Sequence, residues 1–270
     1  MDILFFKLAL AAYFLSTLGY AISLLVKRVM VARASMWVLC SAFLIQTMAI
    51  GARCVATGQI PVRDIYDALG LIAWIMTGVY LAFQLKTKTR ILGAFVSPTA
   101  FLLMIVASIR LGDKVVIPDI LQGSLVPLHV MLAVSGEAFF ALASCAGAMY
   151  LLQDKLIKGK KGRNFTRLLP SLRDLDRVNH ICLLGGFPLL TLGVLVGSVW
   201  ARTAWGSNWQ WDPKQIWTLL AWSLYAFLLH QRLVIGWRGH KSAWFSILAF
   251  LFLLFCVVAS RFSTSLHSFA

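Results

Sequence analysis

The segment from Trp205 to Lys214 combines residue types that could hold a flat, apolar ligand. Its sequence, W-G-S-N-W-Q-W-D-P-K, sets three tryptophans, an aspartate and a lysine between two long apolar runs. Six of the ten tryptophans of the chain fall within residues 200–222: Trp200, Trp205, Trp209, Trp211, Trp217 and Trp222. Single tryptophans are ordinary at a membrane surface, but so dense an aromatic surface with fixed polar residues suggests a platform for a planar ring system such as a porphyrin.

Two histidines are expected at the same membrane depth as this segment. His129 stands near the start of the fifth apolar run, and His267 follows the last one, both on the side of residues 205–214. Neutral imidazole is a good ligand for haem iron, so two imidazoles beside an aromatic surface could form an axial pair. A lone interfacial histidine is more often a hydrogen-bonded polar residue, and the interpretation therefore depends on both histidines and the aromatic surface together.

A third histidine, His230, is expected much deeper in the membrane. It follows Lys214 by 16 residues, which at helical rise is about 24 Å. It cannot share one haem with the outer pair. Ionisable residues within a membrane are costly and often functional, so His230 indicates either a second, inner haem site or a side chain that reaches to the surface beside Arg232.

Other polar residues are open to two interpretations each. Glu137 follows His129 by eight residues and projects from a similar helix face, either to orient a ligand or, as we favour, to pair with a neighbouring helix. Arg53 and Arg261 are near the outer ends of their apolar runs. Either could meet a haem propionate, although contact with lipid headgroups is the commoner role. His180 and His240 are assigned no role.

The composition indicates an all-α, polytopic membrane protein. Apolar residues make up 60% of the chain, mean hydropathy is +0.82, and only 13% of residues are charged. A spanning helix needs about 20 apolar residues. Eight spans are predicted at 3–26, 34–57, 65–85, 91–109, 124–152, 180–201, 215–235 and 242–263. A polar linker is expected at 153–179, and Gly193 with Gly197 permits close helix packing.

The net charge of +15 is explained by membrane topology. Most of the 25 basic residues fall in four turns, at 27–33, 86–90, 153–179 and 231–241. All four lie on one side of the membrane if both termini are outside, and the positive-inside rule then makes that side cytoplasmic. Residues 205–214 face outwards. The distribution argues against a nucleic-acid partner and leaves the lipid bilayer as the partner that the charge indicates.

The tryptophan-rich segment closely resembles the "WWD" signature of the haem-handling family that includes CcsA, CcmC and CcmF. The family pattern is W-G-x-x-W-x-W-D, and the matching residues are Trp205, Gly206, Trp209, Trp211 and Asp212. The following residues resemble CcsA in particular: Pro213, Lys214, Trp217, Trp222, Tyr225, His230 and Arg232. Further similar segments lie at 65–69, 128–130, 186–188 and 266–269. Two positions depart from the CcsA pattern, because Gln215 and Asp67 stand where glutamate is usual.

The resemblance implies the membrane subunit of a system II cytochrome c synthase, that is, a cytochrome c haem lyase that works with a ResB/CcsB-type partner. It would carry haem b across the membrane and present it to the Cys-x-x-Cys-His motif of apocytochrome c. By the same resemblance, His129 and His267 would be the axial ligands and His230 would belong to the haem entry path. The residues of the external haem-contacting surface would be Trp205, Trp209, Trp211 and Asp212.

The expected organisation is two N-terminal helices in residues 1–60 and a haem-handling membrane domain in 61–270, which includes the external loop 202–216. The expected location is a bacterial plasma membrane with the site on its external side, or alternatively a thylakoid membrane. Three other functions stay open: a haem exporter or delivery protein without ligase activity, a quinone-linked cytochrome b subunit, and a scaffold. The cytochrome b reading is disfavoured because no helix carries a histidine pair at helical spacing.

Overall fold

The chain folds into helices joined by turns. The computed structural model describes residues 1–26, 28–58, 65–86, 90–111, 123, 125–159 and 170–262, and within these ranges it contains no β-strand. The α-helices are α1 (Asp2–Val26), α2 (Val29–Thr57), α3 (Ile65–Lys86), α4 (Gly93–Ala107), α5 (Leu125–Lys158), α6 (Leu172–Trp205), α7 (Pro213–Leu233) and α8 (His240–Phe262). The predicted all-α class is confirmed.

The protein is an integral membrane protein. Six of the helices are long and apolar enough to cross a bilayer, all except α4 and α7. Helix α4 is apolar but short, and 3₁₀ turns at Arg90–Leu92 and Ser108–Arg110 lengthen it at both ends. Helix α7 has 21 residues, enough for about 31 Å, but it carries more polar side chains. Each of the eight predicted spans overlaps one helix, while the external placement of the termini stays a prediction.

The polar linker predicted at 153–179 is shorter than expected. Helix α5 continues to Lys158, where an ion pair between Lys158 and Asp154 of 2.7 Å spans one helical turn. Helix α6 begins at Leu172, because the Ser171 side chain caps it by accepting a hydrogen bond from the Asp174 amide at 3.1 Å. Local capping and charge pairing therefore extend both helices beyond their apolar spans.

The helices form two halves that meet at α3 and α5. Helix α1 packs on α2 and α4, and α3 packs on α4, while in the second half α5 packs on α6 and α8. Helix α7 contacts α8 and touches α6 only lightly. The first half also contains buried polar contacts, since the Tyr13 hydroxyl donates to Gln46 Oε1 at 2.7 Å and Gln46 Nε2 donates to the Gly70 carbonyl at 2.9 Å.

Helices α5 and α6 approach each other through small residues, as Gly193 and Gly197 predicted. A Cβ atom added at Gly193 would lie 2.9 Å from the Ala133 backbone nitrogen, and one added at Gly136 would lie 2.8 Å from the Leu190 nitrogen. Such distances leave no room for a larger residue. This close pair is the frame on which the candidate site is built.

Candidate functional site

The tryptophan-rich loop is a tight connection between α6 and α7. Gly206 ends α6 in the left-handed conformation (φ 78°), with its N–H donating to the Arg202 carbonyl at 2.9 Å. Asp212 caps α7, and its carboxylate accepts a hydrogen bond from the Lys214 amide at 3.3 Å. Pro213 at the first helical position suits this start. The connection is shorter than the predicted loop 202–216, because α6 continues to Trp205.

Side chains of the flanking helices hold the loop in place. Ser198 Oγ donates to the Asn208 carbonyl at 3.1 Å, and Gln215 Oε1 accepts from the Gln210 amide at 2.9 Å. Gln215, which departs from the glutamate of the family pattern, thus contributes an acceptor oxygen, as a glutamate would. The loop that these hydrogen bonds hold has an unusual backbone conformation. Trp211 is the only non-glycine residue with a positive φ (52°) in the described part of the chain.

The tryptophans of this region fall into packed and exposed groups. Trp205 meets Trp200 edge to face at 4.9 Å between ring centroids, and Trp222 Nε1 donates to Thr191 Oγ1 at 2.9 Å. Trp217 packs on Phe255 of α8. Fewer than six of these tryptophan rings are therefore available to form an exposed aromatic surface.

Two tryptophans of the loop remain available to a ligand. Trp211 is 69% exposed and meets Trp209 edge to face at 5.9 Å. Trp209 is half-buried, and its indole N–H is buried without a hydrogen-bond partner among the described residues. Buried polar groups nearly always have a partner, and this donor could supply a hydrogen bond to a bound ligand or a water.

His129 is held in one orientation by α6. Its Nδ1 lies 2.7 Å from the Gly193 carbonyl oxygen, which can only accept, so Nδ1 carries the proton. The neutral ring then has its lone pair on Nε2, the form that binds iron. A Cβ atom at Gly197 would lie 2.6 Å from the imidazole, so glycine is needed there to admit the ring. The sequence analysis singled out His129 and Gly197 separately and did not predict that they are in contact.

Helix α6 brings His129 and the loop to the same end of the bundle. Gly197, which contacts the imidazole, precedes Ser198, which bonds to Asn208 of the loop. Lys214 at the start of α7 interacts electrostatically with both His129 and Glu137. His129 and the loop thus contact neighbouring residues of α6, while their joint role as a haem site stays a prediction and His267 lies outside the described residues.

Glu137 and Tyr225 form a polar level beneath this end. No hydrogen bond or ion pair of Glu137 with a neighbouring helix occurs among the described residues, and the buried Tyr225 hydroxyl likewise has no hydrogen-bond partner there. The two interact electrostatically, and Phe140 stacks on Tyr225 with ring centroids 3.5 Å apart. This stack joins α5 to α7 about one turn from Glu137.

The opposite end of α7 is organised around Arg232. This buried guanidinium donates to His180 Nδ1 at 2.9 Å and to Asn179 Oδ1 at 3.0 Å, and it forms an ion pair with Asp176 at 2.8 Å. It also bonds to Ser242 of α8. Sequence reasoning missed this network and left His180 without a role. His230, two residues before Arg232 and therefore on the other face of α7, is exposed on the outside of the bundle.

The arginines considered for propionate binding differ in their surroundings. Arg53 forms an ion pair of 3.1 Å with Asp67, which joins the end of α2 to the start of α3. The side chain of Arg261 lies outside the described residues. Within the described ranges no group of three or more metal-ligating residues occurs, and a haem held by two axial imidazoles requires none.

Comparison with known proteins places this architecture among cytochrome c biogenesis proteins. Residues 62–267 match the family model described as cytochrome C assembly protein. The chain is 33% identical over 225 residues to the cytochrome c biogenesis protein CcsA of Chlamydomonas reinhardtii, covering 79% of this chain and 62% of that protein. It is 30% identical to CcsA of Pyropia yezoensis over 268 residues, covering 83% of this chain and 82% of the relative.

A solved structure shares the fold. The cytochrome c haem lyase CcmF superposes with a TM-score of 0.69 over 95% of this chain, which spans 46% of the CcmF chain. Sequence identity in this comparison is 16%, so the likeness concerns the fold alone.

Proposed function

The chain belongs to the cytochrome c assembly protein family, and within it to the CcsA group, and on that premise we propose that it is the membrane subunit of a cytochrome c synthase. Its role is cytochrome c maturation. The proposed reaction is the covalent attachment of haem b to the two thiols of a Cys-x-x-Cys-His motif. The site is proposed to lie on the external side of a bacterial plasma membrane, with the thylakoid membrane as the alternative.

The observation that carries the proposal is the orientation of His129 beside the tryptophan-rich loop. Gly193 fixes the imidazole with Nε2 unprotonated, and the loop joins the same stretch of α6 through Ser198. We assign His129 as one axial ligand of the haem substrate and His267 as the other. Trp209 and Trp211 supply ring contacts, and the unsatisfied Trp209 N–H supplies a donor.

Two further residues of the tryptophan-rich segment, the buried Asp212 and the half-buried Trp205, would support this surface rather than touch the substrate. Asp212 is 5% exposed and caps α7, and Trp205 packs on Trp200. We therefore assign both as positioning residues for Trp209 and Trp211. The braced loop would hold the haem edge in one place relative to the incoming motif.

Catalysis in this proposal is mainly a matter of proximity. For each cysteine, the S–H bond breaks, an S–C bond forms at one vinyl carbon, and the proton goes to the other carbon. The addition needs no net oxidant or reductant. Holding haem and motif together removes much of the entropic barrier of a bimolecular addition. The histidine of the motif then replaces an axial ligand and releases the product.

The deeper histidine fits an entry path for haem. His230 is exposed on the surface of α7, where a side chain of a ResB/CcsB-type partner could reach it. An ionisable residue on the outside of a membrane bundle is unfavourable unless something covers it. The proposal therefore includes a partner that completes an inner haem site at His230.

The test is covalent haem attachment in cells that lack their own synthase. The chain is co-expressed with a ResB/CcsB-type partner and a cytochrome with a Cys-x-x-Cys-His motif, and haem that survives denaturing electrophoresis is measured. Trp209→Ala is expected to lower the yield about tenfold, because it removes ring contacts and a donor together. Trp244→Ala, an exposed tryptophan near the start of α8, is the matched control. Haem binding without covalent product in the wild type would instead favour an exporter or delivery protein.

A further inference from the structure

An open cavity lies at the end of the bundle that carries the basic turns. It has a volume of about 360 Å³ and is lined by Tyr150, Arg173, Asp176, Arg238, Gly239 and His240, among others. These residues come from α5, from the first two turns of α6, from the turn between α7 and α8, and from the start of α8. None of them belongs to the site around His129.

The cavity carries a net positive charge because its one carboxylate among the described residues, that of Asp176, is already paired with an arginine outside the cavity lining. Asp176 forms an ion pair with Arg232 at 2.8 Å through one oxygen, and its other oxygen accepts from the Gly239 amide at 2.8 Å. Arg173 and Arg238 are exposed, and neither has an acidic partner among the described residues.

The other carboxylates nearby are also engaged. Asp154 pairs with Lys158 at 2.7 Å, and Asp174 accepts from the Ser171 hydroxyl at 2.6 Å. The two cavity arginines are therefore left to bind an anion from outside the chain. Helices α6 and α8 both begin at the cavity, and the partial positive charges of their N-termini add to the attraction.

The surroundings of the cavity match the headgroup region of a membrane. Lys241 lies over the Trp237 ring at 5.8 Å, and exposed Trp244 follows one turn later. Tryptophan and lysine are typical of this level. Exposed apolar side chains of Val234 and Ile235 stand shortly before Arg238 and offer a path for acyl chains.

We propose that this cavity binds the headgroup phosphate of an acidic phospholipid. Arg173 and Arg238 hold the phosphate, and the acyl chains lie along the outside of the α7–α8 turn. Basic cavities between helices at the cytoplasmic face are a common form of headgroup site. The lipid would tie the starts of α6 and α8 together beside the Arg232 network.

General attraction of basic turns to the membrane does not account for this arrangement. Arg177 is equally basic and exposed on α6, but it does not line the cavity. If attraction were diffuse, Arg177 and Arg173 would contribute equally to lipid binding. If the cavity is a specific site, Arg173 contributes and Arg177 does not. The pair thus provides a matched comparison.

The experiment counts phosphatidylglycerol molecules retained by the purified, full-length chain in native mass spectrometry. The double variant Arg173→Gln/Arg238→Gln is expected to bind phosphatidylglycerol about tenfold more weakly than the wild type, since each arginine near an anionic headgroup contributes appreciably. Arg177→Gln is expected to match the wild type. Arg173→Lys/Arg238→Lys keeps the charge and is expected to retain most of the binding.

Three results would overturn the proposal. Equal loss in the Arg177→Gln variant would mean diffuse attraction, and equal retention of phosphatidylcholine by the wild type would mean that the headgroup charge plays no part. Displacement of phosphatidylglycerol by millimolar inorganic phosphate would mean a free-anion site. The last two use the wild-type protein, so they decide the matter even if the glutamine variant fails to fold.

Discussion

The two ends of α7 place polar side chains in opposite situations. At one end, Arg232 is buried and bonded to Asp176, Asn179 and His180, so its charge is fully matched. At the other end, the Trp209 N–H lies buried without a partner, and the Trp211 ring is 69% exposed. Both ends are rich in polar and aromatic residues, but of these two buried polar groups only the Arg232 guanidinium has hydrogen-bond partners among the described residues.

This difference separates stability from function. A buried network with matched partners holds helices in register, and it has little left to offer a ligand. Unmatched donors and exposed rings lower stability and persist where something else binds. The Arg232 end is thus expected to determine whether the protein folds, and the loop end to determine what the folded protein does.

The largest effect is expected from Arg232→Met. Removing one member of a buried ion pair leaves the Asp176 carboxylate without its cationic partner and takes one of the two donors from Asn179 Oδ1, at a cost of about 3–5 kcal/mol in free energy of unfolding. Thermal unfolding in mild detergent measures this, with the exposed Arg177→Met as control. Equal unfolding midpoints for the two variants would contradict a structural role for Arg232.

A smaller and more specific effect is expected from Gly197→Val. The added side chain would occupy the space of the His129 ring and break its bond to the Gly193 carbonyl, so haem bound per protein should fall about tenfold. Gly51→Val is the control, because nothing lies within 4 Å of a Cβ added at Gly51. Unchanged haem content and spectrum in Gly197→Val would show that the contacts of Gly193 and Gly197 with His129 do not position the imidazole for haem binding.

The smallest effect is expected from Trp209→Phe, which should change stability and haem binding in opposite directions. Losing the unsatisfied N–H should raise the free energy of unfolding without haem by about 1 kcal/mol, while haem binding weakens by about tenfold or less. Trp211→Phe, which changes an exposed ring, should leave stability unchanged. If Trp209→Phe lowers stability and leaves haem binding intact, the indole N–H serves the fold and not a ligand.

The sequence was enough to predict the fold because hydropathy repeats on the scale of the membrane. Each predicted span corresponds to a helix, including the short α4, since only a helix satisfies its backbone within lipid. The ends of α5 and α6 were misplaced, because capping by Ser171 and the Lys158–Asp154 pair act outside the apolar runs. Hydropathy carries no signal for such local contacts.

The site could be predicted only in part. The residue types of the loop and of His129 point to a haem ligand, but contacts between distant segments decide what each residue does. The sequence predicts only that Gly197 permits close helix packing, whereas in the fold it also leaves the space that the His129 ring fills. Gln215 differs from its family pattern and nevertheless accepts the Gln210 amide hydrogen bond. Arg232, which resembled a membrane-surface residue, is buried at the centre of a network.

The most direct test of the account is the visible spectrum of the dithionite-reduced protein, purified with its co-expressed partner. Wild type is compared with His129→Ala and with His267→Ala. Ligation by two imidazoles predicts a low-spin b-type spectrum in the wild type that is lost or becomes high-spin in each variant. An unchanged low-spin spectrum in both variants would contradict the axial pair and, with it, the assignment of the loop end as the haem site.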